Sequence, residues 1–398
     1  MRVLLFHDIA EEIGGAETYV NRLLGALNAE GHPSRLITIS SKPPAVVPER
    51  ANVVVFREPS SKAIRFMMKA KWNPWLFVFL CRQIHSFKPN VLHLHHNYKY
   101  PSTVLLAAAL KGVPVVQTVH DYGFLCPTIW HVKPGGKACC TKFGWECVQS
   151  GCIPLSKYLL ELAYRPIKHI LEKMVVRKII CPSKKLQDCI SQQGFRTELV
   201  RYFIGCPQKM PKKRPGTAET ILYVGGLTPQ KGVHVLLPAF ASAMKKFPKA
   251  RLVVVGEGTY RGWLESMAGE LDISRFVHFA GKVPNSKIGG YYANAGIVAV
   301  PSIWEEQFGL VGIEAMSYGV PVVGSDIGGI PEWLEDGKTG LLAAPGDSKD
   351  LAAKIIELMK KPARAKAMGE RGRKTALVKY CSSEKHASRM VQVYKSVQ

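Results

Sequence analysis

The chain is short of acid: 54 Lys and Arg face 30 Asp and Glu across 398 residues, a formal net charge of +24. It also lacks any apolar run near the ~18 residues of a membrane span. The longest, Trp75 to Cys81, suits a short core or interfacial piece. The opening residues "MRVLLFHD" turn acidic too soon for a secretory leader, so the cytoplasm is the expected location. The acid deficit admits nucleic acid, an anionic membrane surface or phosphorylated substrates as partners. Nucleic acid has only the charge in its favour. The basic residues are spread through both halves, with neither zinc-finger spacing nor an RNA-recognition signature. Short repeats, low-complexity tracts, the P-loop spacing and an Asp-x-Asp motif are all missing.

What is present is an alternation of strands and helices. Val3–Phe6, Leu36–Ile39, Val53–Phe56, Val91–His93, Val113–Val119 and Ile179–Cys181 read as strands, with helical stretches such as Glu17–Ala29 and Ser102–Lys111 among them. A Pro- and Lys-rich piece, Cys206 to Glu219, interrupts the pattern. It restarts at Ile221–Val224, Leu252–Val255, Val277–Phe279, Gly296–Val300 and Val320–Val323. This is an α/β chain of two doubly wound, Rossmann-like domains facing each other across a cleft. The expected division is a first domain over 1–205, a linker over 206–217, a second domain over 218–380, and a terminal helix over 381–398 with the option of crossing back.

Four segments carry candidate chemistry. In "PSIWEEQFGLVGIEAMSYGVPVVGSD", Glu305 and Glu306 lie past a strand end, Phe308, Gly309 and Leu310 read as the first turn of a helix, and Glu314 sits one turn in. Gly319 and Pro321 mark the helix stop. Two acids flanking free amides suit a polyhydroxy ligand; solvated loop charges and a helix-start acid are the plainer reading. In "ILYVGGLTPQKGVHVLLPAF", a strand runs into Gly225 and Gly226, then to Lys231 at a helix start, where the dipole disfavours a cation unless an anion joins it. Gly14 and Gly15 precede an amphipathic helix, and "VPVVQTVHDYG" ends a strand on His120 and Asp121. Each of these last two is weak alone: a tight turn, and a structural histidine.

Taken together, the segments resemble the retaining glycosyltransferases of family 4, with the two-domain GT-B architecture. The most specific stretch is "EEQFGLVGIEAMSYGVPVVGSDIGGIPE"; "VGGLTPQKG", "VVVGEG" and "VHFAGKV" follow the family's order. The resemblance implies that Glu314 holds the donor ribose, and that Glu306 and the Phe308, Gly309 and Leu310 backbone hold the donor sugar. Lys231, aided by the Gly15 amide, would neutralise the diphosphate, His120 would contact the sugar, and Lys282 and Val283 would flank the base. Gly226 departs from the family's usual Arg, which would cost on the order of 1–3 kcal/mol of leaving-group stabilisation. The implied reaction retains configuration by front-face attack, with domain closure over the donor. It needs no cofactor or metal, because fixed charges serve the leaving group. It moves a sugar from a nucleotide-diphosphate sugar to a glycan or lipid-linked acceptor, in cell-surface polysaccharide or glycolipid synthesis. A sugar-nucleotide epimerase of the same architecture is the alternative; outside enzymes, a basic nucleic-acid-binding protein.

Five of ten cysteines, Cys126, Cys139, Cys140, Cys147 and Cys152, fall in one loop-like stretch over 126–152 of the first domain. Without a leader, disulfides are disfavoured. The spacings match no standard zinc pattern, so a metal-stapled acceptor loop and packed free thiols both stay open. "LSKYLLELAYRPIKHILEKMVVRKII" spaces Arg165, Lys168, His169, Lys173 and Arg177 helically beside apolar residues, suiting peripheral contact with anionic lipid or a solvated face. Pro166 is expected to break or start a helix there.

Overall fold

The structure, a computed structural model, describes residues 1–10, 14–42, 51–58, 71–134, 139, 143–207 and 217–398. Cys140 and most of the expected linker lie outside the described residues. The chain divides into two compact units. One comprises Met1–Ile129, Lys142–Phe203 and Ser383–Gln398; the other comprises Trp130–Thr141 and Ile204–Ser382. The segment from Trp130, read from sequence as part of the first domain, groups with the second.

The first unit is built on β1 (Val3–His7), β2 (Ser34–Ser40), β3 (Val53–Arg57), β4 (Val91–Leu94), β5 (Val115–Thr118), β6 (Val176–Cys181) and β7 (Thr197–Leu199). All pair in parallel, in the order β3-β2-β1-β4-β5-β6-β7. β1 is buried along its whole length, as expected of a strand with helices on both faces. The terminal helix Ser383–Lys395 packs on the helix Gly15–Ala29.

The second unit holds β8 (Thr220–Val224), β9 (Arg251–Val255), β10 (Val277–Gly281), β11 (Ile297–Val300), β12 (Val322–Ser325) and β13 (Gly340–Ala343), parallel and ordered β10-β9-β8-β11-β12-β13. Its core runs from Ile221 and Leu252 to Phe240, Ile355 and Met368. The helix Leu310–Ser317 stops at Gly319, as the sequence indicates: the Gly319 amide donates to the Met316 carbonyl at 2.8 Å, and the Val320 amide to Ala315 at 3.1 Å.

Two expectations are corrected. Pro166 neither breaks nor starts a helix; it sits inside the continuous helix Leu155–Val175. The carbonyl it leaves without an amide partner belongs to Leu162, which is itself exposed, so water can satisfy it. Disulfides are not absent either. Cys206 pairs with Cys381, their Cα atoms 5.4 Å apart, within the span such a bond bridges. Nothing local in the sequence links them, since they stand 175 positions apart. They close the two ends of the second unit, beside the hydrogen bond from the Ile204 amide to the Tyr380 carbonyl at 2.7 Å.

Candidate active site

In the second unit β8 and β11 lie side by side, while the strands beyond them run off in opposite directions. The loops past their carboxyl ends part there, which is where open parallel sheets leave room for a ligand. The loop after β8 passes Gly225 and Gly226, makes one 3-10 turn over Pro229–Lys231, and enters the helix Val233–Met244. Gly232, at the joint, has φ 72°, and a Cβ there would stand 1.8 Å from the Pro301 carbonyl oxygen. Only glycine lets this loop press so closely on the end of β11. The Ile303 amide, donating to the Gln230 carbonyl at 2.9 Å, ties the two loops together.

That contact delivers Lys231 to the segment after β11. Its Nζ lies 2.6 Å from Glu306 Oε1 and 5.1 Å from the centroid of the Trp304 ring. Ser302 Oγ donates to the same carboxylate oxygen at 2.7 Å. Burial pushes the Glu306 carboxyl up, but the Lys231 ammonium and the hydrogen bonds from Lys231 and Ser302 outweigh it and hold the group below the usual carboxylate range. Glu306 is buried, whereas the Lys231 side chain keeps 29% of its surface. The pair is therefore an enclosed anion answered by a reachable cation. Trp130 packs edge-on against Trp304 at 5.3 Å, and His131 Nδ1 lies 3.7 Å from Glu305 Oε2. The cysteine-rich stretch thus lends two residues to the surroundings of this pair, whereas its sequence position had placed it with the first domain.

Phe308 lies outside the helix, contrary to expectation. Gly309 at φ 80° precedes the first helical residue, Leu310. Phe308 is buried edge-on against Tyr380 at 5.8 Å, and its carbonyl accepts the Trp333 indole N–H. The amides without an intrahelical acceptor therefore begin at Leu310. Glu314, half-buried one turn on, accepts the Tyr292 hydroxyl at 3.1 Å. Lys282, exposed, and Val283, half-buried, follow β10. They share the carboxyl edge of the sheet with Gly225, Gly226, Lys231 and Glu306. The Gly226 carbonyl accepts the Tyr223 hydroxyl at 2.8 Å, and a Cβ on Gly226 would meet nothing nearer than the Glu257 carbonyl oxygen at 4.0 Å.

The first unit has the matching switch point between β1 and β4, filled differently. His120 Nε2 is hydrogen-bonded to His95 Nδ1 at 2.9 Å, and its Nδ1 to the Tyr202 hydroxyl at 2.6 Å. Both ring nitrogens are occupied inside the unit. Burial and the neighbouring imidazoles hold its pKa well below the usual value, so the ring is neutral at pH 7. Asp121 accepts the Tyr98 hydroxyl and the Gly123 amide. Gly15 opens the first helix, and Glu17 turns back to accept the Gly14 amide at 2.8 Å. Sequence reasoning passed over His7, Glu17, His93, His95, His96 and Ser302. The run "HLHH" at the end of β4 was the available signal.

Among the described residues, one cluster of three possible metal ligands occurs: His7, Glu17 and His96, their ligand atoms within 4.8 Å of one another. His7 Nδ1 accepts the His96 amide at 3.3 Å, which leaves the proton on Nε2, donated to Glu17 at 3.3 Å. The cluster is thus engaged as a hydrogen-bonded cap on the helix start. Cys126, Cys147 and Cys152 belong to the first unit and Cys139 to the second.

Two parallel Rossmann-like units of matching strand order, with a lysine–carboxylate pair at the switch point of the second, are the architecture of the GT-B class of glycosyltransferases. The family description "Glycosyltransferase Family 4" matches residues 13–202 and "Glycosyl transferases group 1" matches 207–375. Between them they take in most of the chain, which belongs to this family. Among the relatives, glycogen synthase of Mycobacterium tuberculosis is 30% identical over 290 residues, 70% of this chain and 62% of its own. D-inositol 3-phosphate glycosyltransferase of Corynebacterium urealyticum is 36% identical over 226 residues, 55% of this chain and 51% of its own. The matched regions therefore span less than two thirds of those proteins. Of solved structures, Alr3699/HepE of Anabaena in complex with UDP and glucose superposes with a TM-score of 0.75 over 100% of both chains at 20% identity. Sucrose-phosphate synthase of Thermosynechococcus elongatus superposes with a TM-score of 0.72, covering 99% of this chain and 98% of its own at 22% identity. At such identities these likenesses speak to the fold.

Proposed function

We propose that the protein transfers a sugar from a nucleoside-diphosphate sugar to a glycan or lipid-linked acceptor, with retention and without a metal, in cell-surface polysaccharide or glycolipid synthesis. The observation that carries this reading is the Lys231–Glu306 pair at the switch point of the second unit, 2.6 Å apart. A buried carboxylate can accept sugar hydroxyls, and an ammonium held beside it can meet a leaving diphosphate. The UDP and glucose bound by the Anabaena protein support a nucleotide-sugar donor.

In this reading Lys231 stands poised before the donor arrives, its charge balanced by Glu306, and charge developing on the departing diphosphate draws on an ammonium already in place. The helix amides from Leu310 onward add a fixed partial charge. Glu314 serves the ribose and Lys282 and Val283 the base. Gly15 lends its amide to the diphosphate. His120, neutral and with both nitrogens occupied, contributes shape and polarity near the sugar and does not take a proton.

The test is a thermal-shift and calorimetry panel of UDP-, GDP- and ADP-sugars. One of them should stabilise the protein, and Glu314→Ala and Lys231→Ala should each abolish its binding. Binding that survives both changes overturns the site. The anomeric configuration of product made in the presence of a chelator reads retention and metal independence together. A sugar nucleotide altered without any acceptor would identify an epimerase instead.

A further inference from the structure

The helix Leu155–Val175 is amphipathic, yet it faces the wrong way for a surface helix. Arg165, Lys168 and both of its acids turn towards the protein. Arg165 pairs with Glu161 at 3.0 Å and lies over the Phe143 ring, while Lys168 pairs with the buried Glu172 at 3.4 Å and lies over Phe124. The opposite side presents Leu155, Leu159, Leu162, Ile167, Ile170 and Met174 to solvent, each about half exposed or more. Both carboxylates of the helix are on the inward side, so the outward face has no acid. Ordinary packing puts the apolar stripe inside.

The exposure is concentrated in one region. Of fifteen large apolar side chains left exposed among the described residues, twelve belong to the first unit and seven to this helix. The helix packs on Pro101–Leu110, which packs on Pro74–Phe87; these carry Leu106, Leu110, Trp75 and Val78, also exposed. Trp145 stands edge-on to Tyr158 near the helix start. Exposed apolar side chains gathered on three successively packed helices mark an interaction site.

We propose that this face lies on an anionic phospholipid bilayer, with the helix in the interfacial plane. Charge complementarity selects the occupant. Lys157, Lys173 and Arg177 are exposed on the helix or just past its end, and the chain carries +24 overall. That charge opposes pairing with a second copy and favours anionic headgroups. No helix is long and apolar enough to cross a membrane, so the contact is one of lying upon it. The basic residues singled out in the sequence have a divided role: Arg165 and Lys168 are engaged inside the unit and Lys173 reaches over the Phe195 ring, while apolar side chains and the marginal Arg177 meet the lipid. The surface extends the lipid-linked part of the reading above and rests on it only for the acceptor.

Co-sedimentation of the full chain with phosphatidylcholine vesicles, with and without phosphatidylglycerol, tests it. The anionic vesicles should bind the wild type at least tenfold more tightly than the neutral ones. L159E/I170E should weaken that binding at least tenfold, with circular dichroism and melting temperature unchanged; L159S/I170S serves if the first variant misfolds. Donor binding by calorimetry is read separately and should be the same in all variants. Equal vesicle binding by wild type and both variants overturns the proposal. So does a wild type that ignores vesicles and forms dimers which the substitutions dissolve.

Discussion

The two units share a strand order around their switch points and put opposite chemistry there. In the first, imidazoles and phenols close on one another: His95 with His120, His120 with Tyr202, Tyr19 with His386 at 2.9 Å, and His93 with Tyr394 at 2.8 Å. In the second, an ammonium and a carboxylate meet with the ammonium still reachable. The same topology thus yields a sealed neutral network in one place and a charged, open pair in the other. Strand order sets where a site can be; the residues at the strand ends set what it can do.

Acid should break the comparison most strongly. Burial drives His93 and His386 down to about 3 and holds His95 and His120 well below the usual value. The unfolded chain takes up protons on these rings as the pH falls below about 6.5, while the folded unit does not. Protonation therefore favours unfolding, and stability is lost progressively from about pH 6.5 down towards 3. At pH 5 His93 and His386 each cost roughly 2 kcal/mol, and His95 and His120 add to the loss in the same direction. Hydrogen exchange at pH 5 should show β1, β4 and β5 opening before β8 and β11; simultaneous opening would contradict the contrast.

Opening the disulfide acts on the other unit. Cys206→Ser should destabilise the second unit by about 5 kcal/mol under non-reducing conditions, through the loop entropy of a 175-residue separation released in the unfolded chain. Reductant should reproduce the loss in the wild type and leave the first unit unmoved in the same exchange experiment. A smaller effect isolates the charged pair. Lys231→Ala strands the buried Glu306 and should cost about 2 kcal/mol in chemical denaturation, less than for a fully enclosed pair because Lys231 is partly exposed. Adding Glu306→Gln should recover most of that stability without recovering donor binding. Smallest in stability, but informative in function, is Gly226→Arg, whose Cβ would meet nothing nearer than 4.0 Å. It should leave the melting temperature nearly unchanged and tighten donor binding about tenfold, the worth of one charge-assisted hydrogen bond.

Much of this was legible along the chain. The strand runs of both sheets, the helix stop at Gly319, and Lys231 as a misplaced cation at a helix start all follow from short-range pattern and the dipole. The short outer strands β7 and β13 carry too few residues for alternation to speak. Phe308 reads as helical because a Gly-Leu step can begin a turn; the buried contact with Trp333 and Tyr380 sets the start two residues later. His120 is visible as a strand-end histidine, but its partners are 25 and 82 residues away and share no period with it. The pairing of Cys206 with Cys381 is equally non-local.

By itself the sequence determined two parallel sheets, the loops at their carboxyl ends, and the residue types placed on those loops, because each depends on patterns within a few residues. Tertiary structure alone decided which partners those residues meet and which face of the helix Leu155–Val175 turns outward. The periodicity of that helix shows two faces but does not say which is inner. Lys168 turns inward over the Phe124 ring and Glu172 pairs with it there, so the leucines are left to the outside.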